Sequence, residues 1–373
     1  MIRLNTFRSG FTLLGLAALI VAFVYGNSTG AIRFRAAADV DQRLAVVAVP
    51  GYHVQLFTSA SSNPKVSNPD SVVVDGSHVF IDYQNVTAKD GSDGKSSTVV
   101  EYNMRGDELK RWDVSGHSDG MRMNPANHVL WTTSNEDGNP AFATIDPRAG
   151  VVTKYTFPPA PHGGGYDDVY FLNGKAFIAA SAPRLDASGN SLGFPAVDLI
   201  TLNSTTHTIS LTSVLNGNAS ATDAISKKPV TLNLTDPDSL STDGKGALVL
   251  VAQGDSELIT IGDPGGASQS VSVLPVGTQV DDTVYPLGMG RLLVTDGASG
   301  NTFWISKDTP FAAGSTYTQS PNDSGVTNFV GTVSPTTGFV TPLAVGFTKA
   351  TGMIFVPNTV DGEDSSNSDS NAG

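Results

Sequence analysis

Five times along the chain an aspartate opens a short apolar run that reaches a second apolar run through a polar turn. The copies are led by Asp70 in PDSVVVDGSHVFI, Asp119 in SDGMRMNPANHVLWT, Asp167 in YDDVYFLNGKAFIA, Asp238 in PDSLSTDGKGALVLV and Asp282 in DDTVYPLGMGRLLVT. A sixth, PLAVGFTKATGMIFV, carries Leu343 in the aspartate position. Successive leaders stand 49, 48, 71, 44 and 61 residues apart. Strand-turn-strand units recurring at roughly 40–50 residues have the spacing of propeller blades arranged around a central channel. The expected fold is all-β, a six-bladed β-propeller. Its innermost strands all start at one end of the channel, so a side chain repeated at that start is gathered into a ring. Here the ring is carboxylate.

Composition agrees with such a fold. The chain of 373 residues holds 39 Gly and 21 Pro, and only 15% of its residues are charged. That is turn-rich and poor for helix bundles. A net charge of −13 argues against nucleic acid, whose phosphates need clustered Lys and Arg. Cysteine is absent, which excludes a disulfide scaffold, thiol catalysis and thiolate metal sites.

The ends read differently from the middle. Arg3 and Arg8 precede an apolar run from Phe11 to Tyr25, and small residues follow at Thr29-Gly30-Ala31 and Ala36-Ala37-Ala38. Residues 1–31 are read as an export signal, or failing cleavage as an N-terminal anchor, since the run is short for a spanning helix. An exported, cysteine-free protein suits a bacterial periplasm or exterior, with no stable membrane span after signal cleavage. Residues 40–358 form the expected propeller. Residues 359–373, acidic and nearly devoid of apolar side chains, are expected to be a disordered tail. The strand-like segment before Ser59 falls outside the repeat and is expected to supply strands that close the last blade.

Chain direction places the loops after the second strands beside the ring. They carry Gln84, Asn135, Glu136, Arg184, Gln253, Asp255 and Asp296, and two insertions, Val86 to Lys95 and Leu185 to Pro195, fall in the same set. Five aspartates at one mouth repel one another unless they take up protons or recruit a cation. Asp70, Asp119, Asp167, Asp238 and Asp282 are therefore candidate ligands of a divalent cation, Ca²⁺ above all, which takes 6–8 oxygens. Each aspartate also has a local role open to it, capping its own turn. Asn135, Arg184, Gln253, Asp255 and Asp296 are candidates for contact with a polar small molecule, protein or glycan. His117 in GHSDG and His162 in PHGGGYDD, with glycine and polar neighbours, are candidate acid–base groups together with Glu136. No P-loop, dinucleotide fingerprint, nucleophile elbow or His-Glu-x-x-His motif is present in the sequence.

At PDSVVVDGSHVFI and PDSLSTDGKGALVLVAQGDSELITI the chain resembles the six-bladed superfamily of NHL-repeat and regucalcin/gluconolactonase-like proteins. The resemblance covers most of residues 45–358 as a blade pattern. It implies a divalent metal at the channel mouth, with Asp238 the best match to a family ligand and Asp119 and Asp282 next. The family glutamate of the first inner strand, in a Glu-Gly-Pro context, has no counterpart; Pro69-Asp70 or Pro342-Leu343 stands there. Three functions are therefore expected in order. The first is an exported propeller binding a cation, a polar ligand or a partner at its acidic mouth. A metal-dependent lactonase-like hydrolase follows, with His117, His162 or Glu136 as the base that activates water. The third is a cell-envelope interaction protein whose aspartates are turn caps.

Overall fold

The computed structural model describes residues 46–62, 65–321 and 328–358, so the expected export signal and acidic tail lie outside the described residues. Apart from a single 3₁₀ turn at Ala60–Ser62, those residues hold strands and turns, arranged as six sheets around a central channel. Two strands come first, β1 (Val47–Ala48) and β2 (Tyr52–Ser59). Blade one is β3 (Pro69–Asp75), β4 (His78–Tyr83), β5 (Ser96–Asn103) and β6 (Glu108–Ser115). Blade two is β7 (Ser118–Asn124), β8 (Val129–Ser134), β9 (Ala141–Asp146) and β10 (Val151–Tyr155). Blade three is β11 (Gly165–Leu172), β12 (Lys175–Ser181), β13 (Pro195–Asn203) and β14 (Thr208–Asn216). A hairpin of β15 (Ser220–Asp223) and β16 (Pro229–Thr231) precedes blade four, β17 (Pro237–Thr242), β18 (Leu248–Ala252), β19 (Glu257–Gly262) and β20 (Ser270–Pro275). The hairpin adds to that blade's outer edge, with β15 running parallel to β20.

Local chemistry sets the first hairpin of each of these blades. Val72, Val73, Ile81 and Phe80 belong to β-branched or aromatic runs buried on both faces, as strands sandwiched between sheets must be. The Asn173-Gly174 turn in blade three places both residues at positive φ, 51° and 74°, which a two-residue hairpin favours because it matches the strand twist.

The rest of the ring departs from the sequence reading. The remaining strands are β21 (Thr283–Val284), β22 (Gly290–Asp296), β23 (Asn301–Lys307), β24 (Thr316–Ser320), β25 (Phe329–Val333), β26 (Val340–Val345) and β27 (Ala350–Pro357). The apparent hairpin led by Asp282 is not one: β21 pairs with β24 in blade five, whereas β22 pairs with β23 and β27 in blade six. Pro286 to Met289 is a crossing between blades rather than a turn within one. The apparent copy led by Leu343 is likewise divided, because Leu343 lies in β26 of blade five and β27 is the innermost strand of blade six. The sixth position of the ring is therefore held by Thr351, not Leu343. The N-terminal strands close the ring as expected and do so twice, β1 on β26 of blade five and β2 on β23 of blade six.

Six clusters of buried side chains fill the gaps between neighbouring blades. Alternation along each strand sends one set to each side: Val73, Phe80 and Val99 of blade one meet Met121 and Leu130 of blade two. Val72, Ile81 and Val100 turn the other way, to Leu293 and Trp304 of blade six. Each such side chain contributes about 1.5–3 kcal/mol when fully buried.

Candidate functional site

The start of the innermost strand is irregular in the same way in five blades. Pro69 pairs with Tyr83 and Val72 with Ile81, so Asp70 and Ser71 together oppose Asp82. The same two-against-one mismatch sets Asp119-Gly120 against Thr133, Asp167-Asp168 against Ala179, Asp238-Ser239 against Val251, and Thr351-Gly352 against Thr295. A bulge of this kind leaves its extra residue unpaired and re-aims the side chain. In four of the five the residue presented to the channel is the repeated aspartate, and in blade six it is Thr351.

The result is a cavity of about 310 Å³ at the channel mouth, lined by ten carboxylates and two lysines, Lys89 and Lys349. Burial raises Asp70 well above the usual carboxylate range, reinforced first by Asp119. Burial does the same to Asp167 and Asp281, and for both the strongest carboxylate neighbour is Asp238. Asp238 itself is raised by burial and by Asp236. Glu136 is pushed up to about 7 by burial and by Asp119, against the pull of Lys89. So much negative charge in one enclosure favours proton uptake or a cation.

The floor is an ion pair. Arg122, on β7, donates from Nη2 to Asp168 Oδ2 at 2.8 Å and to the Leu240 carbonyl at 3.0 Å, with Asp282 Oδ1 at 3.9 Å. It thereby ties blades two, three, four and five across the channel. Burial lifts Asp168 to about 7 although Arg122 pulls it down. Burial also raises Asp282, with Arg122 and the Met353 N–H opposing. On the far side of the same arginine lies an apolar pocket of about 400 Å³ with Tyr170, Tyr285 and Phe355 in its wall.

Of the residues singled out from sequence, Asp70, Asp119, Asp167, Asp238, Asp282, Glu136 and Gln253 line the mouth. The ring aspartates are spread around the cavity. Among the described residues, a single group of three His, Asp or Glu side chains brings its ligand atoms within 4.8 Å of one another: His117, Asp119 and Glu136. Asn135 lies beneath it, accepting from the His117 N–H at 2.9 Å and donating to the Asn139 carbonyl at 2.9 Å.

Four others are outside the lining. His162 is buried, with Nε2 2.6 Å from the Gly165 carbonyl and its ring edge-on to Tyr166. The glycines around it mark a tight turn of chain over an aromatic pocket, not an exposed approach. Asp255 holds the backbone N–H and hydroxyl of Thr235, each at 2.7 Å. Asp296 accepts from the N–H groups of Thr348 and Lys349 at 3.0 and 2.6 Å. Arg184 is exposed.

Sequence reasoning missed Asp168, Asp236, Asp281, Lys89 and Lys349 as lining residues. Two of these had a signal, the doubled aspartates at 167–168 and 281–282. Lys89 lies in the Val86 to Lys95 insertion already placed beside the ring, whereas Lys349 had no signal, because it reaches the mouth from a loop outside that set.

No protein-family model and no curated protein matches the chain. Among solved structures, it is similar to the periplasmic gluconolactonase of Pseudomonas aeruginosa, at 12% identity over 78% of this chain and 88% of that one, with a TM-score of 0.44. It is also similar to virginiamycin B lyase from Staphylococcus aureus, at 11% identity over 68% of this chain and 99% of that one, with a TM-score of 0.39. At these identities the likeness to gluconolactonase, the lyase and other propellers is one of architecture.

Proposed function

We propose that the protein binds a divalent cation at its acidic mouth and through it holds a polar ligand. The observation that supports this reading is the charge imbalance of ten carboxylates against two lysines around one cavity. Protons or a cation relieve such an imbalance. Carboxylate oxygens, with the Gln253 amide beside them, suit Ca²⁺. Asp238, the strongest carboxylate neighbour of both Asp167 and Asp281, is the first residue expected to hold it, with Asp119 and Asp282. The cation would supply a positive charge that orients an oxygen-bearing ligand in the cavity. Export, read from residues 1–31, would expose the mouth to extracellular calcium, where modules of millimolar affinity suffice.

Thermal unfolding in Ca²⁺ and in EDTA tests the reading. The midpoint rises with Ca²⁺, by linkage to the folded state alone, and the rise is lost in Asp238→Asn. Coincident curves at millimolar Ca²⁺ overturn it and leave the aspartates as turn caps of an interaction protein.

Glu136 favours a second reading, a hydrolase of lactones or esters. A carboxylate held near 7 and open to the mouth can take a proton from an attacking water at neutral pH. That reading requires turnover that chelation abolishes and that Glu136→Gln removes.

A further inference from the structure

His117, Asp119 and Glu136 differ from the rest of the mouth in offering a nitrogen. His117 ends the link from β6, Asp119 is the second residue of β7, and Glu136 follows β8 by two residues. Their ligand atoms lie within 4.8 Å of one another. A metal with N and O ligands at about 2.0–2.2 Å holds neighbouring donors about 3–3.5 Å apart, so the three side chains would close by up to roughly 1.5 Å to seat an ion.

The histidine carries the argument. It is only 6% exposed, yet its Nε2 is buried without a hydrogen-bond partner among the described residues. Its Nδ1 lies 2.8 Å from Thr87 Oγ1 and 3.2 Å from the Thr87 carbonyl. The Thr87 hydroxyl already donates its one proton to the Gln84 carbonyl at 2.6 Å. Both Thr87 oxygens must therefore accept from Nδ1, which fixes the proton there and leaves Nε2 as a bare lone pair.

The same loop holds the other two side chains. Gln84 Nε2 donates to Asp119 Oδ1 at 2.8 Å, and the Lys89 ammonium pairs with Glu136 Oε1. Residues 84, 87 and 89 thus each fix one atom of a different member of the group and leave the member's other atom to bind. Outer partners arranged in this way are what orient the ligands of a metal.

We propose that His117, Asp119 and Glu136 form a site for one borderline divalent metal ion, of the Zn²⁺, Co²⁺ or Ni²⁺ class, with its remaining positions open to the mouth. An imidazole nitrogen suits such ions and is a poor ligand for Ca²⁺. This site deepens the cation-binding reading above and rests on it.

The test uses isotope-labelled full-length protein freed of metal with EDTA and titrated with Zn²⁺, the histidine resonances being assigned through bonds on the unmutated protein. One equivalent of Zn²⁺ is expected to move His117 Nε2 while Nδ1 keeps its proton. His117→Gln is expected to weaken Zn²⁺ binding at least tenfold and to leave the Ca²⁺ effect on the thermal midpoint in place. The resonance is read on the unmutated protein, so a variant that folds poorly does not decide the matter. An unmoved His117 with an intact Ca²⁺ effect overturns this site and spares the calcium reading. A moved His117 with no Ca²⁺ effect supports this site and overturns calcium.

Discussion

Asp82 faces the bulge of blade one as Thr133 faces that of blade two. Thr133 Oγ1 accepts from the Gly120 N–H at 3.0 Å and donates to the Asp167 carbonyl of the next blade. Thr295 does the same in blade six, accepting from Gly352 N–H and donating to the Asp70 carbonyl, both at 2.6 Å. Burial pushes Asp82 up to about 8, so at neutral pH its carboxyl keeps a proton, yet both of its oxygens are buried without a hydrogen-bond partner among the described residues where the threonines bridge two blades. Asp82→Thr should therefore be stabilising at pH 8, by on the order of a few kcal/mol. The sign with pH follows from proton counting. Folded wild type holds a proton between about 4 and 8 that the unfolded chain has lost, so its stability falls as pH rises through that window. The advantage of the variant should grow from pH 5 to pH 8 in denaturant unfolding; a gap that does not change with pH would contradict this role.

Arg122 is expected to be the costliest single loss at the site. Arg122→Met strands the buried carboxylates of Asp168 and Asp282, a change worth about 3–5 kcal/mol. Adding Asp168→Asn should recover part of the loss. A double-mutant cycle reads this directly, and additive costs would mean that the pair is not coupled.

Cation binding should release protons. Glu136 and Asp168, both near 7, are partly protonated at neutral pH, and a cation favours their charged forms. Calorimetry in buffers of different ionisation enthalpy should show more protons released at pH 6 than at pH 8.5. In EDTA these same raised carboxylates make the folded state less stable as pH rises from 6 to 8, and a bound cation should flatten that slope. Equal release at both pH values would place the titrating groups elsewhere.

In the bulges of blades two and six the second residue is a glycine with no room for a side chain. A Cβ on Gly120 would strike the Asp167 carbonyl, and one on Gly352 the Asp70 carbonyl, both backbone atoms of the adjacent blade. Gly120→Ala and Gly352→Ala should each destabilise by about 1–3 kcal/mol. Ser71→Ala in blade one, where a side chain is already accommodated, should cost less in the same thermal assay.

The four blades built from contiguous hairpins were legible because the aspartate, the bulge and the turn all lie within about fifteen residues of sequence. Blades five and six were not. Asp282 to Thr295 has the composition of a hairpin, and only its pairing with distant β24 and β27 reveals two halves of different blades. The ring aspartates were found because each opens its strand. Arg122, Lys89 and Lys349 were missed because their partners come from other blades or loops. His117 and Glu136 were both singled out, but a whole hairpin separates them in sequence. Their approach to Asp119 depends on the return of β8 to the mouth.

The interlacing of blades five and six bears on how this ring could have changed over time. β22 and β23 belong to blade six yet are threaded between β21 and β24 of blade five, and β27 returns to complete blade six. A duplication or deletion that ends between any two strands from 283 to 357 would leave at least one of these two sheets incomplete. Blades one to four can be copied or lost as whole cassettes, whereas the last two form a single heritable unit. Growth or shrinkage of the ring, and with it the number of carboxylates at the mouth, is confined to the other side.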